Sequence, residues 1–246
     1  MSEQAWPMVL IPVHRPGERL TALLDDLLAD GPAPEDVLIV DDGSGPSADK
    51  LLADVRERGC TVLRSPVNRG KGAALKTGFR AVAEGRVAEG RVVEGRVADG
   101  RDVVTADGDG QHRAADIGAV AARAGRGSVV LGARPFGRMP LRSRLGNVVT
   151  DLLFRGVTGR AVADTQTGLR AYPADLLGTL LKVPGERFEY EMNVLLTVVA
   201  AGRRIEEVPI PATYLDGNAG SHFGRISDSA RVLGTLVRHA ASSGLR

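Results

Sequence analysis

The sequence of 246 residues contains a single cysteine, Cys60, so the chain cannot form an internal disulfide. It also lacks a run of about 18 apolar residues, the length that a transmembrane helix requires. The first residues, Met-Ser-Glu-Gln-Ala-Trp-Pro, include an acid and no basic cluster, unlike a secretory signal peptide. These absences predict a cytoplasmic protein and leave open a peripheral contact with a membrane surface.

The chain has no excess of charge of either sign. Its 32 basic and 30 acidic residues leave a net charge of +2, so no broad field for binding nucleic acid is implied. A hydrophobic content of 43% is sufficient for a core of ordinary size. The length suits one large α/β domain or two small ones. Because no linker divides the sequence, we expect one domain over residues 1–246.

Short apolar runs alternate with amphipathic stretches in the first part of the chain. The runs at 8–13, 37–40 and 61–63 are typical of buried strands, and leucines at helical spacing over 18–28 indicate a helix. This order predicts parallel strands joined by crossover helices. Ligands bind such sheets beyond the carboxyl ends of the strands, and Asp42 lies at one such end.

The later elements continue the same α/β pattern. A buried strand is predicted at 128–132, and the prolines within 205–211 are compatible only with an edge strand. The predicted helices cover 47–58, 73–83, 113–124, 141–157, 174–181, 190–201 and 226–240, the last within a C-terminal helical segment at 225–246.

Two aspartates, Asp107 and Asp109, follow a short apolar run and are separated by glycine. Side chains i and i+2 of a strand point to the same side, so the pair can close on one divalent cation. Mg²⁺ is usually held by one or two carboxylates together with substrate phosphates. Gly108 and Gly110 leave room for a bulky ligand. An acidic turn after a strand is the alternative, and the pattern alone favours neither.

Two basic residues lie where a phosphate could bind. Lys71 belongs to Asn68-Arg-Gly-Lys-Gly72, a glycine-bearing helix start whose backbone N–H groups can meet an anion. The spacing is not that of a Walker A loop, and a capped helix with a solvated Lys71 is the alternative. Arg134, at the end of a predicted strand, can reach a phosphate or can be an exposed loop cation.

Four near-copies of a five-residue unit, Glu-Gly-Arg-Val-Ala or a close variant, occupy residues 84–101. Five residues advance a helix by about 140°, so the repeat produces no single helical face. Each glycine costs a helix roughly 1 kcal/mol relative to alanine. We therefore predict an exposed, frayed helix or a mobile loop, inserted into a helix-to-strand connection and supplying no site residue.

In their order along the chain, these motifs resemble those of family 2 glycosyltransferases with the GT-A fold. That fold is a Rossmann-like α/β architecture with a mostly parallel sheet flanked by helices. The run from Asp107 to His112 is similar to that of the dolichol-phosphate mannosyltransferase-like branch, which transfers a sugar from a nucleotide donor to a polyprenyl phosphate. The resemblance extends from residue 8 to about 237. Its landmarks are Ile11-Pro-Val13, Val40–Ser44, Asn68–Gly72, Asp107–His112, Gly132–Arg134, Asp164–Arg170 and Glu207–Pro209.

The resemblance implies a site for a nucleotide sugar and a metal ion. Asp107, Asp109 and Gln111 would hold Mg²⁺ or Mn²⁺ against the donor diphosphate, and the cation would stabilise the departing nucleoside diphosphate. Arg134 would add a second positive charge there. The residues assigned to nucleotide-sugar binding are Pro12, His14, Val40, Asp42, Lys71, Asp107, Gly108, Arg134 and His222.

The resemblance assigns catalysis to Asp109, through the metal, and to Glu191 as a base for an acceptor hydroxyl. A solvated helix glutamate beside Glu189 is the alternative for Glu191. A phosphate acceptor is already ionised near neutral pH and needs no strong base. His222 stands where members of the branch often have lysine. The donor, whether a GDP-, UDP- or dTDP-sugar, and the acceptor, for example polyprenyl phosphate at a membrane surface, therefore stay open.

Two other functions stay open beside a metal-dependent inverting glycosyltransferase. A nucleotidyltransferase that makes nucleotide sugars has a related architecture, but its glycine- and lysine-rich signature is absent after the first strand, where Pro12-Val-His-Arg-Pro16 stands. A nucleotide-binding protein without catalysis is disfavoured by the presence of Asp107, Asp109 and Arg134. The sequence predicts no oligomeric state.

Overall fold

A mixed seven-stranded sheet forms the centre of the protein. The computed structural model describes residues 6–85, 87–88, 91–92, 100–134, 141–211 and 226–243. Within these ranges the strand order in the sheet is β3-β2-β1-β6-β8-β7-β9, and β4 and β5 pair separately. The strands are β1 (Met8–Val13), β2 (Val37–Asp42), β3 (Thr61–Ser65), β4 (Val87–Ala88), β5 (Arg91–Val92), β6 (Val103–Thr105), β7 (Val129–Ala133), β8 (Arg170–Tyr172) and β9 (Ile205–Pro209).

The sheet is mostly parallel, as the sequence predicts. β1 pairs in parallel with β2 and β6, β2 with β3, and β7 with β9. β8 lies between β6 and β7 and runs antiparallel to both. We did not predict this strand, because three residues after a turn-rich stretch are too few to show a periodic pattern. Its direction brings the segment that precedes it to the edge where β6 and β7 end.

Helices cover both faces of the sheet, and each predicted helix is present within a few residues of its expected bounds. The largest difference is at 174–181, where a 3-10 turn at Ala174–Leu176 precedes a single helical turn. No helix in the described part of the chain is long and apolar enough to cross a bilayer. The helices are α1 (Glu18–Ala29), α2 (Asp49–Glu57), α3 (Lys71–Ala83), α4 (Ala114–Ala121), α5 (Leu141–Thr158), α6 (Leu177–Leu180), α7 (Glu189–Ala200) and α8 (Ile226–Ser243).

Alternate residues of β1 pack into two separate apolar cores. Met8 and Leu10 belong to one core, with side chains from α3, α6, α7 and α8. Val9 and Ile11 belong to the other, with side chains from α1, α2 and α4. This alternation follows from the two-residue period of a strand. Since helices cover both faces, the carboxyl edge of the parallel strands is the place where a ligand can approach the sheet.

The five-residue repeats lie between α3 and β6, where we predicted an insertion. We predicted a frayed helix or a loop, but the described part forms an antiparallel pair, with Val87 opposite Val92 and Ala88 opposite Arg91. Valine favours strands and the repeated glycine disfavours helices, which explains the difference. Residues 86, 89–90 and 93–99 lie outside the described residues.

Candidate active site

The sheet topology gathers polar side chains from separate parts of the chain at one edge. His14, Asp42, Asp107 and Arg134 lie at or just beyond the ends of β1, β2, β6 and β7, respectively. The ends of parallel strands in one sheet face the same way. The antiparallel strand β8 adds the preceding loop, residues 164–169, to this edge. The sequence-predicted sites at Asp42, Asp107 and Arg134 are thus at the same edge of the sheet.

A buried lysine lies between two carboxylates at this edge. Lys71 Nζ is 2.7 Å from Asp107 Oδ1 and 2.9 Å from Glu191 Oε2. The side chains of Lys71 and Glu191 are 14% and 9% exposed, so solvent does little to screen the pair. Burial alone would lower the pKa of Lys71, but attraction to Asp107 and Glu191 raises it above its ordinary value. The lysine is therefore an ammonium held by the carboxylates of Asp107, just after β6, and Glu191, on α7.

The two aspartates of the central motif differ in their electrostatic environment. Burial opposes ionisation of Asp107, yet the charge of Lys71 holds its pKa well below the usual range. Burial, followed by repulsion from Asp107, raises the pKa of Asp109. Asp109 also accepts hydrogen bonds from the Gln111 backbone N–H at 3.0 Å and from Gln111 Nε2 at 2.9 Å. Gln111 therefore holds Asp109 in place within the turn.

The buried side chain of His112 holds the backbone of Asp107 in place. Its Nδ1 accepts a hydrogen bond from the Asp107 N–H at 3.0 Å, and the residue is 2% exposed. Burial lowers the pKa of His112. A neutral imidazole that accepts at Nδ1 carries its proton on Nε2. The sequence marked His112 as a family landmark without a role, and the structure indicates that it orients Asp107.

Asp42 shapes the loop that leads into Lys71. Its carboxylate accepts hydrogen bonds from the N–H groups of Arg69 at 2.9 Å and Gly70 at 2.6 Å. His14 Nδ1 donates to the Asp42 carbonyl oxygen at 2.9 Å. Asp42 is only 4% exposed, so it contributes to the site through this loop. That Asp42 and His14 contact a nucleoside stays a prediction.

The loop before β8 approaches the site at Gly168, a glycine to which the sequence assigned no role. A Cβ on Gly168 would lie 2.4 Å from Asp107 Oδ2 and 2.7 Å from Lys71 Nζ. Thr105 Oγ1 donates to the Gly168 carbonyl at 2.9 Å, which ties this loop to β6. Only glycine fits here without moving the charged side chains, since real Cβ atoms essentially never come within 3.0 Å of non-bonded heavy atoms.

Arg170, the first residue of β8, joins the same loop to α7. Its side chain is fully buried, and Nε donates to the Thr167 carbonyl at 2.8 Å. One terminal nitrogen donates to the Glu191 carbonyl at 2.8 Å, and the other donates to the Thr165 carbonyl at 3.0 Å. These bonds bring the Glu191 turn and the Gly168 loop together. The landmark Asp164–Arg170 was the available sequence signal, but it did not reveal this role.

Arg134 is held at the end of β7 by an ion pair with Asp164. Its Nε lies 2.6 Å from Asp164 Oδ2, and a terminal nitrogen lies 3.2 Å from Oδ1. Asp164 has no exposed surface and Arg134 has 18% of its side chain exposed. The guanidinium is therefore fixed at the sheet edge, where its charge also lowers the pKa of Asp107, after the larger effects of burial, Lys71 and His112.

Of the four remaining predicted residues, three lie within the described structure. Pro12 and Val40 lie side by side in the register of β1 and β2. Val40 has no exposed surface and its side chain packs in the core, so its assignment to the nucleotide-sugar site stays a prediction. Gly108 packs over β1, where a Cβ would lie 3.0 Å from Val13. His222 lies outside the described residues.

The oxygen ligands of the central motif fit a hard divalent cation. In the described part of the chain, no group of three or more histidine, cysteine, aspartate or glutamate side chains is arranged to hold a metal. Magnesium sites commonly use only one or two carboxylates and complete the coordination with waters and substrate phosphates. Asp107 and Asp109 repel one another at this position, and a cation would offset that repulsion. The residues therefore fit an ion that binds together with a phosphorylated ligand.

Comparison with known protein families identifies the family of this chain. The model of glycosyl transferase family 2 matches residues 8–147, more than half of the chain, and the match includes Lys71, Asp107, Asp109 and Arg134. The chain belongs to glycosyl transferase family 2. It is therefore a glycosyltransferase. The two other functions that the sequence left open, a nucleotidyltransferase and a nucleotide-binding protein without catalysis, are not its function.

This family 2 glycosyltransferase has distant relatives in archaea and bacteria. It is 26% identical over 216 residues to an uncharacterized protein of Methanocaldococcus jannaschii, covering 85% of this chain and 82% of that protein. It is 26% identical over 205 residues to the UDP-N-acetylglucosamine–dolichyl-phosphate N-acetylglucosaminyltransferase of Methanococcus voltae, covering 74% and 76%. It is 27% identical over 212 residues to the undecaprenyl-phosphate 4-deoxy-4-formamido-L-arabinose transferase of Salmonella enteritidis, covering 82% of this chain and 58% of that protein.

Solved structures confirm the GT-A fold of the glycosyltransferase. Glucosyl-3-phosphoglycerate synthase from Mycobacterium tuberculosis, crystallised with Mn²⁺, uridine diphosphate and glucosyl-3-phosphoglycerate, aligns with a TM-score of 0.64 at 20% identity. The alignment covers 95% of this chain and 79% of that chain. The sequence prediction of a GT-A architecture is therefore confirmed.

A second polar network lies beside the Asp164 loop, on α5. Asp151 Oδ1 accepts hydrogen bonds from the Thr165 N–H at 3.1 Å and from the Thr165 hydroxyl at 2.5 Å. Its other oxygen, Oδ2, is buried and has no hydrogen-bond partner among the described residues. Burial raises the pKa of Asp151 to about 6 although the Thr165 hydrogen bonds lower it. The ionised carboxylate is therefore unfavourable in the folded protein.

We expect Asp151→Asn to raise the free energy of unfolding at neutral pH by about 1 kcal/mol, after allowance for partial solvent screening. The folded pKa lies above the unfolded value of 3.8, so the wild type loses stability as the pH rises from about 4 to about 6. The variant lacks this loss. Urea unfolding at several pH values should show a difference near zero at pH 4 that grows and levels off above pH 6. Asp26→Asn on the exposed face of α1 is the control, and a difference independent of pH would contradict the expectation.

Proposed function

We propose that this glycosyltransferase transfers a sugar from a UDP-sugar to the phosphate of a polyprenyl phosphate, with inversion at the anomeric carbon and with Mg²⁺ or Mn²⁺ bound. The observation that carries the proposal is the ion pair between Glu191 and Lys71 at 2.9 Å. This contact engages one Glu191 carboxylate oxygen with an ammonium donor, so that oxygen is not free to take a proton from an acceptor hydroxyl. A phosphate acceptor is ionised already and needs no base, whereas a hydroxyl acceptor does.

Two relatives support the class of acceptor and one supports the donor. The Methanococcus voltae protein is named for transfer from UDP-N-acetylglucosamine to dolichyl phosphate. The Salmonella protein is named for transfer with undecaprenyl phosphate, although this chain spans only 58% of its length. Both names describe a polyprenyl phosphate. Since such a lipid resides in a bilayer, the enzyme would work at a membrane surface during turnover.

The metal ion would be held by Asp107 and Asp109, with the amide oxygen of Gln111 available beside them. Bound there, a divalent cation supplies Lewis-acid stabilisation for the negative charge of the leaving nucleoside diphosphate. Lys71 and Arg134 lie close enough to affect the ionisation of Asp107, so both contribute positive charge to the same place. Together these groups favour a diphosphate at this edge of the sheet.

The chain's own residues would then orient the two substrates. The loop held by Asp42 and the end of β1 at Pro12 and His14 flank the position proposed for the nucleoside. In a single displacement, an acceptor phosphate oxygen forms a bond to the anomeric carbon while the bond from that carbon to the diphosphate oxygen breaks. The nucleoside diphosphate leaves with the electron pair, which inverts the configuration at the anomeric carbon.

We expect a UDP-sugar with Mn²⁺ to raise the thermal midpoint of the protein more than either component alone. At a ligand concentration of about 100 times Kd, mass action adds roughly 2.7 kcal/mol, equivalent to several degrees for a chain of this size. A thermal-shift screen of UDP-, GDP- and dTDP-sugars, each with Mn²⁺ or with EDTA, measures this effect. A larger shift with GDP- or dTDP-sugars would contradict the proposal that the donor is a UDP-sugar. Equal shifts in EDTA would contradict the proposal that a metal ion takes part in donor binding.

A separate experiment compares possible acceptors. The protein with its preferred donor and Mn²⁺ should glycosylate undecaprenyl phosphate in mixed micelles faster than 3-phosphoglycerate or a simple sugar. Mass spectrometry of the lipid and aqueous phases identifies the product in each reaction. Faster transfer to a hydroxyl-bearing soluble acceptor would contradict the polyprenyl-phosphate proposal and would return Glu191 to the role of base.

A further inference from the structure

Lys71 already occupies a carboxylate oxygen that a divalent cation would use. Its ammonium lies 2.7 Å from Asp107 Oδ1, the distance of a direct charge-assisted hydrogen bond. The same ammonium is 2.9 Å from Glu191 Oε2. The described structure thus has a resident positive charge at the first aspartate of the proposed metal site.

Lys71 and Gly168 both lie close to the carboxylate of Asp107. Gly168 packs so closely that an added Cβ would lie within 2.7 Å of both Asp107 and Lys71. Behind the carboxylate, the imidazole of His112 holds the Asp107 backbone at 3.0 Å. A cation that binds Asp107 must displace Lys71 from Oδ1, or bind Oδ2 and share the carboxylate with the ammonium against electrostatic repulsion.

Glu191 offers Lys71 a second anchor that does not belong to the metal motif. Its backbone carbonyl is bound by the buried Arg170 at 2.8 Å, so the turn carrying the carboxylate is held in place. The start of α3 is also joined to the turn before α7, since the Ala73 N–H donates to the Glu186 carbonyl at 2.9 Å. An ammonium released from Asp107 would therefore stay in the site, bound to Glu191.

We propose that Lys71 competes with the divalent cation for Asp107, and that Glu191 is a positioning residue that retains Lys71 when the metal binds. This inference rests on the proposed function, because it takes Asp107 as a metal ligand. The consequence is that the metal binds weakly to the protein alone. Binding strengthens when the donor diphosphate is present, because the diphosphate offers both the metal and the displaced ammonium a negative partner.

The test measures Mn²⁺ affinity without any nucleotide, by isothermal titration calorimetry and by the electron paramagnetic resonance signal of free Mn²⁺. We expect Lys71→Met to bind Mn²⁺ about tenfold more tightly than wild type, because the ion no longer displaces a buried ammonium. Lys76→Met is the matched control. Lys76 is on the same helix, but its ammonium bonds the Gly185 carbonyl at 2.9 Å, so its removal changes net charge equally and leaves Asp107 untouched.

A second pair of variants keeps the test valid if Lys71→Met folds poorly with two unpaired carboxylates. The double variant Lys71→Met/Glu191→Gln removes one of those charges and is compared with Glu191→Gln alone. The double variant should again bind Mn²⁺ about tenfold more tightly than its own reference. Circular dichroism at each titration temperature verifies that the proteins are folded.

The outcomes separate this inference from the proposed function. Tighter binding by both lysine variants, with Lys76→Met unchanged, supports competition. Unchanged or weaker binding, while Asp109→Asn abolishes Mn²⁺ binding, overturns the competition and leaves the metal site intact. If wild type and every variant, Asp109→Asn included, fail to bind Mn²⁺ even with UDP present, the metal site of the proposed function is overturned, and the competition with it.

Discussion

Replacing Asp109 with asparagine is expected to reduce sugar transfer by at least about 1,000-fold, because a bound cation contributes several kcal/mol to the transition state and each 1.36 kcal/mol is tenfold in rate. Donor hydrolysis should fall with transfer. The fold should not suffer, since burial and the charge of Asp107 already disfavour the ionised form of Asp109. Initial rates at saturating Mn²⁺, with thermal unfolding followed by circular dichroism, measure both effects.

Asp116→Asn provides the matched control for Asp109→Asn. Asp116 is buried at the start of α4 and pairs with Arg113 at 2.8 Å, away from the proposed metal ligands. Its substitution is expected to lower the thermal midpoint and to leave the transfer rate of the folded enzyme close to wild type. Should Asp109→Asn keep more than a tenth of the wild-type rate, or lose activity only in proportion to lost folding, the assignment of Asp109 would be wrong.

Adding one methyl group at Gly168 is expected to lower the transfer rate by about 100-fold, the scale of a misplacement of about 1 Å at a reacting centre. The new Cβ would lie 2.4 Å from Asp107 Oδ2, so the carboxylate or the loop must move. The metal affinity should weaken at the same time, because Asp107 is a proposed ligand. Steady-state rates and Mn²⁺ titrations of Gly168→Ala measure the two effects.

Gly178→Ala serves as the control for Gly168→Ala. Gly178 is exposed on α6 and an added Cβ would meet no heavy atom within 4 Å. The control should keep its rate and its metal affinity, and its stability should hold or rise slightly because alanine favours a helix. If Gly168→Ala matched this control in rate and affinity, the close approach of the loop to Asp107 would have no functional importance.

The sequence predicted which side chains meet at the edge of the sheet, because buried parallel strands have a simple sequence pattern. The apolar runs before Asp42 and Asp107 each end in acid, and strands that alternate with helices must finish on the same side. Two motifs that lie far apart in the chain could therefore be placed at one edge of the sheet from the sequence alone. The family resemblance supplied their roles, and the match of the family 2 model confirms the class of protein.

The contacts between distant segments could not be predicted in the same way. Gly168 and Arg170 lie about a hundred residues beyond Lys71, and their roles depend on an antiparallel strand of three residues. Such a short strand has no periodicity, so its direction was not visible and neither was the position of its loop. The pairing of Lys71 with Glu191 has the same origin, because it depends on how α7 packs against α3.

Glu191 illustrates how a contact changes an assignment. As a lone glutamate near the start of a helix, it could be read as a base or as a solvated side chain. The structure shows it 9% exposed and bound to an ammonium, which excludes the solvated reading. The remaining interpretation, a base, is weakened because Lys71 already occupies one of the two carboxylate oxygens. This contact is the reason for proposing a phosphate acceptor, which needs no base.

The central claim is metal-dependent transfer of a sugar from a UDP-sugar to a polyprenyl phosphate. In the most direct test, the full chain is incubated with UDP-sugars, undecaprenyl phosphate in micelles and Mn²⁺. The mass of the extracted lipid is then measured by mass spectrometry. We predict a lipid product heavier by one sugar, formed with equal release of UDP, absent in EDTA and restored by Mn²⁺. An unmodified lipid with every UDP-sugar, or a glycosylated lipid formed equally well in EDTA, would contradict the claim.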